Sequence, residues 1–276
     1  MQEETTIGFI GAGNMAAALI GGMINRGWKP GRVMAFDPDA GKTAGLHERF
    51  AIRVADDNAQ LVRDCDVVVL AVKPQVMREV LEPLGDAVPG TPPLIVSIAA
   101  GIRVASIEQW LGRPLGVIRV MPNTPSLVGA GASGLYANER VTAAQRDMAE
   151  TLMQAVGIAA WVEDEHQLDT VTGLSGGGPA YFMLFMEVMV EAAVERGLAR
   201  DTAMALVLQT CRGAADLARE SEETLEQLRV NVTSPGGTTE RGLATMKNAG
   251  IDRIIRSAVN AAADRADELA ISLAEE

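Results

Sequence analysis

The chain has 276 residues, with 36 acidic against 24 basic side chains, two histidines and two cysteines, and a formal charge of −12. That length supports about two domains whose cores need neither disulfides nor metals. The acid excess and the lack of any Lys/Arg run argue against nucleic acid or an anionic membrane as partner, and two histidines cannot build a three-histidine metal site, so no metal is expected.

The start, Met1-Gln2-Glu3-Glu4, is acidic and leads straight into an apolar strand, without the basic and long apolar regions of a signal peptide. From residue 7 to about 162, short β-branched runs alternate with Ala-rich helical stretches: Ile7–Ile10, Arg32–Phe36, Ile52–Ala55, Asp66–Val72, Leu94–Ile98 and Val117–Met121. This is the rhythm of a parallel α/β sheet, and Val67–Val72, apolar on both alternating faces, predicts a central strand. From about Glu163 the strand signals stop. Ala180–Gly197, Asp201–Arg219 and Ile251–Leu273 keep helical spacing and predict an all-α second domain, with Met183, Met186 and Met189 near one stripe as packing material for a bundle or subunit interface. The domains are therefore expected over 1–162 and 163–276. No apolar stretch is expected to reach membrane-span length, and Cys65 and Cys211 sit in apolar segments rather than in a spaced framework. The expectation is a cytoplasmic, soluble protein with free thiols.

Within the first strand-turn-helix, Gly11, Gly13 and Ala16 have G-x-G-x-x-A spacing. Gly11 suits a tight turn, Gly13 lets backbone approach a pyrophosphate, and Ala16 permits close helix–strand packing, as in a Rossmann-like dinucleotide-binding domain. Asp37, 26 residues after Gly11 at the end of the second strand, can accept from the adenosine ribose hydroxyls and would repel a 2′-phosphate, which leans toward NADH. It reads equally as a turn and helix-cap residue in Asp37-Pro38-Asp39, and neither Arg32 nor Lys42 is evidently placed to offset its charge.

Four further motifs follow in order: Leu70-Ala71-Val72-Lys73-Pro74-Gln75, Met121-Pro122-Asn123-Thr124-Pro125, Leu174-Ser175-Gly176-Gly177-Gly178-Pro179-Ala180-Tyr181 and Thr233-Ser234-Pro235-Gly236-Gly237-Thr238-Thr239. Over nearly its whole length the chain resembles pyrroline-5-carboxylate reductases. The resemblance implies hydride transfer from NADPH or NADH to the C=N of 1-pyrroline-5-carboxylate, giving L-proline in the last biosynthetic step. It also implies an all-α dimerisation domain, a homodimer, and often a decamer. On the cofactor side it implies Ile10, Gly11, Ala12, Gly13, Asn14, Met15, Asp37, Asn58, Ala71, Val72, Lys73, Pro74, Ala99, Ala100, Gly101 and Asn123. Two departures stand out: Asp37 replaces the Ser or Asn common in the family, and Gly177 replaces a serine.

The substrate offers a carboxylate and a ring imine. Asn231–Thr239 reads as a loop entering a helix, so the N–H groups of Gly237, Thr238 and Thr239 can bind the carboxylate, Gly236 and Gly237 clear space for it, and Asn231 and Ser234 add donors. The same stretch also reads as a plain turn capped by Thr238. By family matching, Thr239 orients the imine and Glu222 stabilises its charge, with Glu165 a further substrate-side carboxylate; Glu222 reads alternatively as a helix-start acid. A Thr hydroxyl is a poor general acid, so Thr239 is expected to position the imine or relay a proton from water. His166, among Glu163, Asp164 and Glu165, reads as a surface residue, and His47 has less claim to chemistry. Two rival readings remain: a β-hydroxyacid or ketopantoate-type dehydrogenase, which needs a helical-domain lysine where the chain has Pro179-Ala180-Tyr181, and a non-catalytic NAD(P) sensor.

Overall fold

The structure, a computed structural model, describes residues 4–275; the acidic Met1-Gln2-Glu3 lies outside them. Eight strands, β1 (Ile7–Ile10), β2 (Val33–Phe36), β3 (Arg53–Val54), β4 (Val67–Leu70), β5 (Leu94–Ser97), β6 (Val117–Met121), β7 (Gly131–Ala137) and β8 (Gly157–Trp161), form one sheet in the order β3-β2-β1-β4-β5-β6-β7-β8. All neighbours are parallel except β6 and β7. Six helices join the strands: α1 (Asn14–Asn25), α2 (Ala40–Phe50), α3 (Asn58–Asp64), α4 (Met77–Leu81), α5 (Val104–Trp110) and α6 (Ala143–Gln154). After β8 come α7 (Gln167–Val171), a π turn at Thr172–Gly176, α8 (Gly178–Glu195), α9 (Arg200–Glu220), α10 (Leu225–Asn231), α11 (Thr238–Asn248) and α12 (Ile251–Glu275).

The six strands read from the sequence are present, with ends trimmed by a few residues. β7 and β8 were not expected. Their sequences, GASGLYA and GIAAW, are small-residue runs without β-branched patterning, so pairing with their neighbours and cover from α6 outweigh local propensity.

Alternation along the strands divides the core between the sheet's two faces. Val67 and Val69 join Phe9, Val96 and Ile118 under α1 and α6, whereas Val68 and Leu70 join Ile10, Ile95 and Val117 under α3, α4 and α5. Cys65 is part of the second core; burial, with Asp64 and Asp66 beside it, pushes its thiol up to about 12, and it is inert.

The chain forms two compact units, one of the residues up to Gly177 together with those from Asn260 onward, the other Gly178–Val259. β signals end at Trp161, while compactness divides the chain at Gly177. The second unit has a small core of its own, Val190, Ala203 and Val207 with Met186, Ala193, Val194 and Cys211 against them. Met183 and Met189 do not join it: they are exposed, as are Phe182, Leu184 and Val188. Contrary to the sequence expectation, the helical stretch 167–195 is long and apolar enough to cross a membrane, and only 11% of its most apolar window is buried within this chain. Gly176, Gly177 and Gly178 lie inside this stretch, where glycine ordinarily weakens a helical pattern.

Gly22, on α1, is where that helix meets the residues following α6: an added Cβ would lie 2.6 Å from the Ala155 carbonyl oxygen. Ala is favoured over Gly in a helix by about 1 kcal/mol, but a backbone oxygen cannot move aside as a side chain can. Gly22→Ala is therefore expected to destabilise by roughly 1–3 kcal/mol, read as a lower urea midpoint at unchanged slope; a midpoint that rises would show that the packing yields.

Candidate functional site

Strand order reverses at β1, with β2 and β3 to one side and β4 to β8 to the other, so α1 after β1 and α4 after β4 pack on opposite faces of the sheet, the switch point at whose C-terminal edge such sheets bind ligands. Gly11 makes the first turn. Its φ is +100°, and an added Cβ would lie 2.7 Å from the Ala71 carbonyl oxygen and 3.0 Å from Val72, so only glycine fits. The turn is tied down by Gly11 N–H to the Phe36 carbonyl (2.8 Å) and Ala71 N–H to the Ile10 carbonyl (2.8 Å). The next turn along, Ala99-Ala100-Gly101 after β5, is drawn in by Ile98 N–H to the Leu70 carbonyl (3.1 Å).

Gly13 caps α1 without a side-chain bond, and nothing lies within 4 Å of where its Cβ would be. The first N–H groups of α1, from Asn14 and Met15, therefore face an open cradle at the positive end of the helix, while buried Ala16 lets the helix sit close to the sheet. These residues fit a pyrophosphate. Asn58 opens α3 with its Oδ1 buried and unpartnered, an acceptor that fits a nucleotide hydroxyl or amino donor. Lys73 and Pro74 begin the turn after β4, with the Lys73 side chain exposed.

Asp37 accepts the Ala12 N–H on Oδ2 (3.0 Å) and the Asp39 N–H on Oδ1 (3.0 Å), and Lys42 Nζ lies 3.3 Å away. Burial pushes its carboxyl up, but these donors outweigh burial and hold it below the usual carboxylate value. Asp39, not Asp37, caps α2, while Asp37 closes the turn of Asp37-Pro38-Asp39 by accepting the Asp39 N–H. Lys42, which the sequence did not place, offsets the Asp37 charge directly.

Two expected ligand residues spend their polar atoms on the fold. Asn123 donates from Nδ2 to the Ser175 carbonyl (2.9 Å) and accepts the Ala132 N–H (2.9 Å), pinning the turn after β6 to β7 and to the π turn. Glu165 Oε1 accepts the Val104 N–H (2.7 Å) and the Arg119 guanidinium (2.9 Å). Arg119 is 4% exposed; burial pulls its pKa down and Glu165 opposes this. A cation inside the apolar run Val117-Ile118-Arg119-Val120 requires a buried carboxylate, the one sequence signal that would have pointed to this bracket. His166 is largely exposed, and His47 closes the end of α2 by bonding the Ile52 carbonyl (2.7 Å).

In the second unit, α11 is capped by Gly237, not Thr238. The Gly237 N–H is already given to the Ser234 carbonyl (3.0 Å) and the Gly236 N–H to Glu240 Oε2 (2.7 Å), so the amides left for an anion are those of Thr238 and Thr239, in the first turn. Asn231 donates to Glu223 Oε2 and accepts from Gln227 Nε2 (2.8 Å each), bonds within α10 and the segment before it. Glu222 is exposed in the link between α9 and α10, ahead of the Thr224 cap, so it is not a first-turn acid.

Residues 165–269 match the family model described as pyrroline-5-carboxylate reductase dimerisation, and residues 6–101 match NADP oxidoreductase coenzyme F420-dependent. The chain is 51% identical over 267 residues to a pyrroline-5-carboxylate reductase of Pseudomonas aeruginosa, covering 97% of each, and 42% identical to that of Vibrio alginolyticus, covering 97% of this chain and 98% of the relative. Among solved structures it is similar to a pyrroline-5-carboxylate reductase from Coxiella burnetii (TM-score 0.92, 43% identity, 96% of this chain and 98% of that one). It is also similar to the Plasmodium falciparum pyrroline carboxylate reductase with NADP bound (TM-score 0.85, 30% identity, 98% and 100%).

The two motif glycines should separate folding from binding. Gly13→Ala projects its methyl group into open space and is expected to leave the melting temperature unchanged while weakening reduced dinucleotide binding roughly tenfold, measured by fluorescence titration. Gly11→Ala meets backbone and should lower the melting temperature itself. Equal affinity in Gly13→Ala and the parent would remove the cradle from the binding site.

Proposed function

The chain belongs to the pyrroline-5-carboxylate reductase family and is an NAD(P)-dependent oxidoreductase that reduces a C=N bond; we propose that its two parts divide the conversion of 1-pyrroline-5-carboxylate to L-proline. Residues 1–162 hold the dinucleotide, and 163–276 hold the substrate and a second copy of the chain. The observation that carries this reading is the open, side-chain-free cradle at Gly13, bordered by the Asp37 carboxylate on Ala12. The dehydrogenase and sensor readings give way to it.

Ile10–Met15, Asp37, Asn58, Ala71–Pro74 and Ala99–Gly101 line the dinucleotide side. When bound, the reduced nicotinamide supplies the hydride. On the substrate side, the Thr238 and Thr239 amides receive the carboxylate, with Gly236 and Gly237 leaving room and the Ser234 hydroxyl adding a donor. The Thr239 hydroxyl orients the imine nitrogen and hands it a proton from water, since its own acidity is too low for direct transfer. Glu222 offsets the positive charge of the protonated imine. Glu165 and Asn123 act through the framework rather than by contact.

Asp37 favours NADH, and Lys42, pairing with that carboxylate, leaves NADPH usable. The exposed apolar residues of α8, Phe182, Leu184 and Val188, are covered in a homodimer, with dimers assembling to a decamer; light scattering of the purified protein reads both. The free thiols fit a cytoplasmic setting.

The direct test follows nicotinamide oxidation with 1-pyrroline-5-carboxylate, NADH and NADPH side by side. Turnover is expected with both and faster with NADH; folded protein that binds dinucleotide but turns over neither overturns the reading. Thr239→Ala is expected to lower kcat roughly 10- to 100-fold with the dinucleotide KM unmoved. Asp37→Ser is expected to shift the kcat/KM ratio toward NADPH by roughly tenfold, about 1.4 kcal/mol; an unmoved ratio would return Asp37 to a purely structural role.

A further inference from the structure

Arg103 occupies the cap position of α5, where Ser, Thr, Asp or Asn would ordinarily receive the first helical N–H groups. It makes no cap bond. That task falls to Glu165, whose Oε1 takes the Val104 N–H at 2.7 Å from 61 residues away along the chain. An arginine side chain has donors only and cannot receive helical N–H groups, and Arg103 turns to acceptors elsewhere. It is 13% exposed, and its Nη2 reaches Asp169 at 2.6 Å and Asp267 at 2.9 Å, while Nη1 donates to the Glu165 carbonyl at 3.4 Å.

Asp267 belongs to the last part of α12, within the first compact unit. Beyond it the helix lies against the turn after β5: an added Cβ on Gly101, whose φ is +76°, would lie 3.5 Å from Leu273 Cδ1 and 3.7 Å from the Ala270 nitrogen. Ala266 and Ala270 are buried and Leu273 packs on the core under α3 to α5. The turn Ala99-Ala100-Gly101 thus has β4 on one side, by the Ile98–Leu70 bond, and the end of α12 over Gly101. Arg103, two residues beyond that turn, is the cation that anchors the helix there.

We propose that Arg103 is a positioning residue for the dinucleotide site: bridging Asp169 and Asp267, it fixes the C-terminal end of α12 as a wall behind the Ala99-Ala100-Gly101 turn. The inference rests on the reading that this turn faces the dinucleotide. A displacement of about 1 Å at such a turn is enough to change affinity and rate. The charges around Arg103 are Asp169 from α7, Asp267 from α12 and the like charge of Arg119 from β6, with His166 Nδ1 3.9 Å from each carboxylate.

Asp267 is the residue to vary, because its side chain is half exposed and Arg103 keeps Asp169 when it is removed. Asp267→Ala in the full chain is expected to raise the Kd of NADH and NADPH roughly five- to tenfold by direct titration. The dinucleotide KM should follow, the KM for 1-pyrroline-5-carboxylate should stay within about twofold, and Asp267→Glu should recover most of the loss. Asp267→Asn, which keeps the shape and loses the charge, should lie between them and serves if the alanine variant fails to fold. A lowered melting temperature with dinucleotide Kd unchanged in both variants overturns the proposal, because the clamp would then support only the fold. Parent protein that bound no dinucleotide would overturn the underlying site reading, and this inference with it, and is distinguished by failing before any variant is made.

Discussion

The closeness of β1 to β4 is the constraint from which the nucleotide side follows. The two strands pair in register from Ile7 with Val67 to Ile10 with Leu70, so their turns leave the sheet side by side, and the backbone of one touches the backbone of the other at Gly11 and Ala71. A side chain at position 11 would have to occupy the Ala71 carbonyl. Because glycine is there, α1 can start immediately, with its unpaired amides pointing into the crevice that the reversal of strand order opens. Asp37 locks the same turn from the end of β2 by holding the Ala12 amide, so the acid proposed to read a ribose also helps build the glycine turn.

Charge organises the opposite half of the unit. Arg119 sits in a strand covered on both faces, and a buried guanidinium without a carboxylate is far more costly than the pair. Glu165 supplies that carboxylate and, with the same oxygen, caps α5. Two ordinarily separate problems, neutralising a buried cation and satisfying a helix start, are solved by one side chain, and Arg103, just ahead of that helix, holds α12 through Asp267. Replacement of the set by apolar residues would remove the link between α5, α7 and α12.

The second unit is built differently. Its helices bury little of their apolar surface within the chain, and the loop before α11 keeps its geometry by spending the Gly236 and Gly237 amides internally. Among the groups the unit leaves exposed are the Thr238 and Thr239 side chains and a run of Phe, Met, Leu and Val on α8. Such a surface has the composition of an interface rather than of a solvated helix.

Much of this was legible in the residues. Short β-branched apolar runs located six strands, because strands covered on both faces read as near-continuous apolar runs, and the glycine spacing located the tight turn at Gly11, because backbone approach there tolerates no side chain. The small-residue strands β7 and β8 were not legible, since the Gly and Ala that dominate GASGLYA and GIAAW disfavour a strand and the scattered Tyr136, Ile158 and Trp161 form no apolar run. Nor were the true partners of Asn123, Glu165, Lys42 and Arg103. Local sequence determines which groups need a hydrogen bond or a countercharge; which residue provides it is decided only when the fold brings together residues from 5 (Asp37 and Lys42) to 164 (Arg103 and Asp267) positions apart.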